Sequence, residues 1–158
     1  MTTKFTYRRQ DVLQHMQKWL VIPNPTFPNF SLSTGNNANF VYQCLYKGGY
    51  GRTGSGFTTS VHPALFSTII KTDVLKAALE HEIGANVIIN NGETPPILGT
   101  GDVVIIEKNN SFTAFMVENQ ENVNYYYSKD PSLSRVAALP AADQYFFYYI
   151  PDTGTWLI

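Results

Sequence analysis

The hydrophobic period of this chain changes once, near residue 85, and that change constrains the fold more than any other feature. Before it, apolar residues recur at helical spacing in three segments, at 8–20, at about 37–46 and at 71–84. After it come short segments rich in β-branched and aromatic residues, at 85–90, 102–109, 111–119, 122–128 and 144–151. Helices followed by antiparallel strands predict an α+β fold in which amino-terminal helices pack on an antiparallel β-sheet. Asn109-Asn110 between two of the strands predicts a tight hairpin turn.

Length and charge exclude several classes of function. The 158 residues contain no repeat or linker, which predicts a single domain over 1–158, and the net charge of -1 is too small to attract nucleic acid. The single cysteine can form neither an internal disulfide nor a multi-thiolate zinc site, and no two of the three histidines have the spacing of a helical metal pair, so we expect no metal and no cofactor.

No apolar stretch is long enough for membrane insertion, and the amino terminus does not resemble a signal peptide. A full-length chain is therefore expected in the cytoplasm, and secretion would require that a signal had been removed.

Aromatic residues make up 14% of the chain and occur in runs, at 125–127 and 145–149. Consecutive residues of a strand point to opposite faces of a sheet, so each run must place rings on both faces. Tyrosine is enriched where proteins meet, which makes the tyrosines of these runs candidates for a surface of self-association or protein binding. The candidates are Tyr125, Tyr127, Tyr145, Tyr148 and Tyr149.

Three motifs occur in a fixed order: YRRQDVLQHMQKWLVIPNPTFPNF, then GNNANFVYQCLYKGG, then GDVVIIEKNNSFTAFMVEN. Together they resemble the papain-like putative amidase domain family of bacteria over residues 6 to about 130, most densely between 7 and 49. The resemblance implies a papain-like amidase fold. It also implies a catalytic cysteine at the start of the second helix, a histidine on the second strand of the later hairpin, and a third polar group that orients the histidine.

None of these catalytic groups is found where the resemblance places it. Asn37 stands at the nucleophile position, flanked by Asn36 and Ala38, and Phe112 or Thr113 stands at the histidine position. No histidine follows His81, and the third position falls at Ser128, Lys129 and Asp130. The resemblance thus implies a degenerate member without catalytic residues, whose remnant site retains polar groups for ligand binding. The candidates are Asn36, Asn37, Asn39, Thr113, Ser128, Asp130 and, from the glycine-rich loop at 49–54, Arg52.

Cys44 does not replace the missing nucleophile, because it lies on the apolar stripe of the second helix and is expected in the core. His15 and His81 are expected on solvated helix surfaces, and His62 in a loop. One of the asparagines at 36–39 is expected to cap the helix, and Asn39, which matches the family motif, is expected to be structural.

Three functions remain open. The first is a catalytically inactive amidase-like domain that acts as a binding module, with a peptide or a cell-wall fragment as its ligand. The second is a self-assembling structural protein that uses its tyrosine-rich surfaces. The third is an active amide or peptide hydrolase with a non-standard site.

Overall fold

A computed structural model of the protein describes residues 2–19, 36–50, 72–91, 94–128 and 135–157. The helices are α1 (Arg9–Trp19), α2 (Asn36–Gly48) and α3 (Thr72–Ala77), and α3 continues as a π-helical segment over Ala78–Ile83. The strands are β1 (Thr2–Thr6), β2 (Asn86–Asn90), β3 (Val103–Lys108), β4 (Ser111–Gln120), β5 (Val123–Tyr127), β6 (Arg135–Val136), β7 (Gln144–Tyr149) and β8 (Thr153–Leu157). The predicted α+β class and the order of helices before the main sheet are confirmed.

In the part of the chain that the structure describes, the main sheet has six strands in the order β2-β7-β3-β4-β5-β6, and every neighbouring pair is antiparallel. Asn109 and Asn110 have φ values of 52° and 64°, the left-handed conformation that a two-residue hairpin turn requires, so the predicted turn is confirmed. Glu121 and Asn122 form a second turn of the same kind between β4 and β5, with φ values of 52° and 66°.

Alternation along the strands divides the main sheet into two buried faces. We call the face that packs against the helices the helix face; it carries Val103, Ile105, Ala114 and Met116. We call the opposite face the far face; it carries Val104, Ile106, Phe115 and Val117 and is covered by Leu98 and by residues 136–142. Both faces of the central strands are therefore buried, which explains why β3 is a continuous run of apolar residues.

Helices α1 and α2 run antiparallel on the helix face. Near the start of α1, Arg8 donates a hydrogen bond to the carbonyl of Lys47 at 3.0 Å, and further along α1 the ring of His15 reaches Gln43 at 3.3 Å. Residues 38–45 of α2 are all buried, so this part of the helix is enclosed on every side. Gly84, with φ of 73°, ends the π-helical segment in the left-handed conformation.

Three strands were not predicted from the sequence. β1 and β8 pair with each other in a separate two-stranded sheet, and β6 is a two-residue strand at one edge of the main sheet. β1 carries only one large apolar residue, Phe5, so its pattern is too weak to indicate a strand without its partner.

Candidate functional site

The site that the family resemblance predicts lies where α2 begins. Asn36 and Asn37 are the first two residues of α2, and their side chains lie outside the described part of the structure. The amide of Gln43 donates to Asn39 Oδ1 at 2.8 Å, and its oxygen faces the ring of His15. Because Asn39 is fully buried in this chain of contacts, its predicted structural role agrees with its position.

The prediction that His15 lies on a solvated surface was wrong, since only 4% of the residue is exposed. Gln43 provides the polar partner that makes this burial tolerable, and the ring also packs near Phe40 with centroids 6.4 Å apart. By contrast His81 is exposed as predicted, and His62 lies outside the described residues.

The two candidate histidine positions on β4 point to opposite faces of the sheet. Phe112 is opposite Glu107 in the register and packs against the cluster that α2 joins, so it lies on the helix face. Thr113 is opposite Ile106, which belongs to the far face. The structure therefore brings Phe112 to the side of the sheet where α2 lies, and places Thr113 away from it.

Cys44 is fully buried, as predicted, and it lies well inside α2 within the hydrophobic cluster of the helix face. It is the chain's single thiol. A substrate cannot reach a side chain with no exposed surface unless the helix leaves the sheet.

The end of β5 lies beside the start of α2. Gln17, near the end of α1, hydrogen-bonds to Tyr127. Because α1 and α2 are antiparallel, this end of α1 lies beside the start of α2. Ser128 follows β5 and is fully buried, and its hydroxyl has no hydrogen-bond partner among the residues that the structure describes. Arg52, Lys129 and Asp130 lie outside the described residues.

The predicted tyrosine interface is wrong for two of its members. Tyr127 is 3% exposed and Tyr148 is fully buried, both on the helix face. Tyr125, Tyr145 and Tyr149 are half-buried. The aromatic runs fill the two cores of the sheet, because both faces are covered.

Glu118, which the sequence analysis did not select, is the centre of a buried polar cluster at the end of β4. It is 3% exposed and accepts hydrogen bonds from Tyr127 at 2.6 Å, from Arg135 at 2.9 Å and from Gln120 at 3.1 Å. Burial alone would raise the Glu118 pKa, but these hydrogen bonds outweigh it and hold the pKa below its usual value. Burial and the adjacent carboxylate together raise the pKa of Tyr127 to about 12. The cluster is a satisfied ion pair that attaches β6 to the sheet.

A second carboxylate, Glu80, lies on the π-helical segment. It accepts hydrogen bonds from Lys76 at 2.6 Å and from Tyr148 at 2.5 Å. Burial opposes ionisation, yet the two donors lower the Glu80 pKa, and the pKa of Tyr148 is raised by burial and by its bond to Glu80. These contacts fix the π-helical segment to β7.

The largest polar cluster in the described residues joins α1 to the loop before β3 and to the chain after β7. Arg9 donates to Asp102 at 3.0 Å, to Asp152 at 2.9 Å and to the carbonyl of Ile150 at 2.7 Å. Asp102, also 3% exposed, accepts from the backbone N–H groups of Gly99 and Ile150. We refer to these residues as the Arg9–Asp102 cluster.

The hydroxyl of Tyr7 donates to the carbonyl of Gly101 at 2.8 Å, and the guanidinium of Arg9 lies 5.0 Å from the centre of the Tyr7 ring. Tyr7, Arg9 and Asp102 all belong to the motifs that carry the family resemblance. The sequence alone did not predict a role for them. The only signal was that these polar residues occur within the matched motifs, and the structure shows that they hold the fold together.

An open cleft of about 360 Å³ runs along α1, next to the end of α2. Its lining residues are Arg8, Asp11, Gln14, His15, Lys18 and Lys47. Arg8 is held at the rim by Asp11, at 2.9 Å. Among the described lining residues three basic side chains outnumber one carboxylate, which gives this part of the cleft a positive charge in a chain whose net charge is -1.

These features define an α+β domain with two amino-terminal helices anchored to an antiparallel sheet by the Tyr-Arg and Gly-Asp motifs. The family model described as the putative amidase domain matches residues 6–125, and the chain belongs to that family. Neither a curated protein nor a solved structure gave a match. In the described residues no helix is long and apolar enough to cross a membrane, and no group of three or more His, Cys, Asp or Glu side chains is arranged to hold a metal ion.

Proposed function

We propose that this chain, over 1–158, is a degenerate amidase-family domain of papain-like fold that acts as a binding module rather than as a hydrolase. One arrangement carries the proposal. Asn37, the second residue of α2, aligns with the family's cysteine, Phe112 is the candidate for the histidine position that lies on the α2 side of the sheet, and Cys44 is fully buried.

Each of these residues opposes the expected chemistry for its own reason. The carboxamide of Asn37 is not a nucleophile at neutral pH. Phe112 has no group that accepts a proton, so a thiol beside it would not be activated. Cys44 is the only residue that could supply a thiolate, and its burial keeps it away from substrate.

The open cleft along α1 is the place where we expect a ligand. Its positive charge, from Arg8, Lys18 and Lys47, suits a ligand that carries a carboxylate, such as a peptide with a free carboxyl terminus or a peptide-bearing cell-wall fragment. Gln14 supplies an exposed hydrogen-bonding group at the same surface. The half-buried tyrosines offer a ligand less exposed area than the cleft does, because both faces of the sheet are covered.

Turnover of peptide amides and activated esters tests the absence of catalysis. We expect no hydrolysis above background by the wild-type protein, and the same result for Cys44→Ala. Hydrolysis that the wild-type protein supports and Cys44→Ala abolishes would contradict the proposal and favour an active hydrolase with a non-standard site.

A second experiment tests whether Asn37 occupies the old nucleophile position. In a Cys44→Ala background, Asn37→Cys places one thiol at the positive end of the α2 dipole, and such thiols ionise below the usual cysteine pKa of about 8.5. The pH dependence of its alkylation should therefore have a midpoint below that value. A midpoint at or above it would contradict the placement of Asn37 at a former catalytic position.

Ligand binding is tested by titration with matched peptides that end in a free carboxylate or in an amide. We expect the free carboxylate form to bind more tightly, and the double variant Lys18→Glu/Lys47→Glu to lose that preference. Lys108→Glu, which makes the same charge change at an exposed residue of the β3–β4 hairpin, is the control and should bind as wild type. Equal binding of both peptides would contradict the assignment of the cleft.

A further inference from the structure

Strand β2 lies at an edge of the main sheet. Among the residues that the structure describes, β7 is the only strand that pairs with it. Its three central residues are all exposed, Val87 by 38%, Ile88 by 44% and Ile89 by 52%. Three consecutive exposed β-branched residues on an edge strand are unusual, because such a strand offers a template on which another strand can pair.

The strand has none of the features by which proteins usually prevent edge pairing. Between Asn86 and Asn90 there is no lysine, no proline and no charged residue of any kind. Its pairing with β7 is continuous over all five residues, without a bulge. By contrast β6, at the other edge, is only two residues long and carries Arg135, two features that discourage pairing.

The sequence of the strand is nearly the same in both directions, Asn-Val-Ile-Ile-Asn against Asn-Ile-Ile-Val-Asn. We infer that β2 is a self-association surface, on which the β2 strand of a second copy of this chain pairs antiparallel about a two-fold axis through Ile88. In that register Ile88 faces its own copy, Val87 faces Ile89, and Asn86 faces Asn90. The strand is its own complement, as a two-fold interface requires.

A two-fold axis perpendicular to the sheet keeps each face continuous across the junction. Ile88 lies opposite Phe147 in the β2–β7 register and therefore on the far face, whereas Val87 and Ile89 lie on the helix face. Aliphatic side chains thus meet on both faces, and the amides of Asn86 and Asn90 can pair at the ends of the strand. Ile97, 61% exposed, lies close to Tyr149 at the Asn86 end and adds apolar area on the far face.

A charged partner fits this strand poorly, because no residue of β2 offers it an opposite charge. The pairing also places no like charges together, which is the usual penalty when identical surfaces meet. A contact of five residues on each copy is small beside a standard interface of about 1,600 Å² in total, so we expect a dimer that dissociates in the micromolar range or above.

Sedimentation over a wide range of concentration tests the inference. We expect a monomer–dimer equilibrium for the wild-type protein, and an equilibrium shifted at least about tenfold towards monomer for Ile88→Lys, because two ammonium groups would then face each other across the axis. Val123→Lys is the matched control: Val123 is 45% exposed, lies on β5 and should leave the equilibrium unchanged. A protein that stays monomeric at millimolar concentration, or a dimer that Ile88→Lys leaves intact, would overturn the inference.

Cross-linking tests the register independently of affinity. In the Cys44→Ala background, Ile88→Cys places two thiols opposite each other with Cβ atoms about 4.5–5.5 Å apart, so a small inward movement of the strands reaches the roughly 3.5–4.5 Å of a disulfide. We expect a covalent dimer on mild oxidation, and none from Val123→Cys. Equal cross-linking of the two variants would show random collision and would contradict a specific two-fold pair at Ile88.

Discussion

Asp102→Asn should destabilise the protein far more than Asp152→Asn, although both carboxylates pair with Arg9. Asp102 has 4% of its side chain exposed, whereas Asp152 has 81%. Asp102 accepts from Arg9 and from the backbone of Ile150 at one oxygen, and from Gly99 at the other. Asp152 is a solvated partner at the edge of the same cluster.

The size of the stability loss in Asp102→Asn follows from the hydrogen bond of Gly99, which the asparagine NH₂ group cannot accept. The amide oxygen of the asparagine can keep the bonds to Arg9 and Ile150, but its NH₂ group then faces the N–H of Gly99, which loses its acceptor. A hydrogen bond to a charged group contributes about 1.5–3 kcal/mol, and breaking a fully buried ion pair costs about 3–5 kcal/mol. A quarter of the Arg9 side chain is exposed, so the pair is not fully buried and its loss costs less than that upper range. We expect Asp102→Asn to lower the free energy of unfolding by about 2–4 kcal/mol. Asp152→Asn should cost at most about 1 kcal/mol, the usual value of an exposed pair.

Urea denaturation of the two variants and the wild-type protein at pH 7 measures both values under one set of conditions. In thermal unfolding the loss for Asp102→Asn corresponds to a fall in Tm of roughly 5–15 °C. Similar losses for the two variants would refute the reasoning, because they would show that the burial of Asp102 does not determine the strength of the cluster.

Three further outcomes follow from the same structure. Gly48→Ala should cost about 1–3 kcal/mol in urea denaturation, because its Cβ would lie 2.1 Å from a ring carbon of Tyr7; a neutral effect would contradict this close approach. Cys44 should be alkylated by iodoacetamide only as fast as the protein unfolds, measured by mass spectrometry; faster labelling of the native protein would contradict its burial. The lowered pKa of Glu118 contributes stability that is present above the ordinary carboxyl pKa of about 4.3 and is lost as the pH falls through the pKa that Glu118 has in the folded protein. Glu118→Gln lacks this contribution, so it should lose less stability than the wild-type protein between pH 7 and pH 3. Equal losses in that range would exclude this contribution.

The sequence predicts the elements whose periodicity is strong. The helices α1 and α2 and the strands β2, β3, β4, β5 and β7 lie within about two residues of their expected positions, because each buries a regular set of apolar side chains. Cys44 is predicted correctly for the same reason, since it shares the apolar stripe of α2 with Phe40 and Val41.

The failures have a common physical cause, which is that burial of a residue depends on partners distant in the sequence. His15 looks like a surface residue of an amphipathic helix, yet Gln43 makes its burial acceptable. Tyr127 and Tyr148 look like candidates for an interface, yet Glu118 and Glu80 accept hydrogen bonds from their hydroxyl groups inside the protein. None of these three pairings leaves a periodic signal in the sequence, because each joins separate elements of the fold.

Asn37 shows the limit of prediction for the site itself. The family motif places it at the start of α2, and the structure agrees on the backbone. Motif alignment left Phe112 and Thr113 as equal candidates for the histidine position. The register of β4 against β3 places the two residues on opposite faces of the sheet, with Phe112 on the face where α2 lies.

The antiparallel arrangement of α1 and α2 has an evolutionary consequence. Arg9 and the groups it binds lie beside the end of α2, near Gly48, whereas Asn37 stands at the opposite end of that helix. A substitution that removes a nucleophile at one end leaves the anchoring contacts at the other end untouched. Residues at the start of α2 can therefore change during evolution without loss of the contacts that hold the fold together.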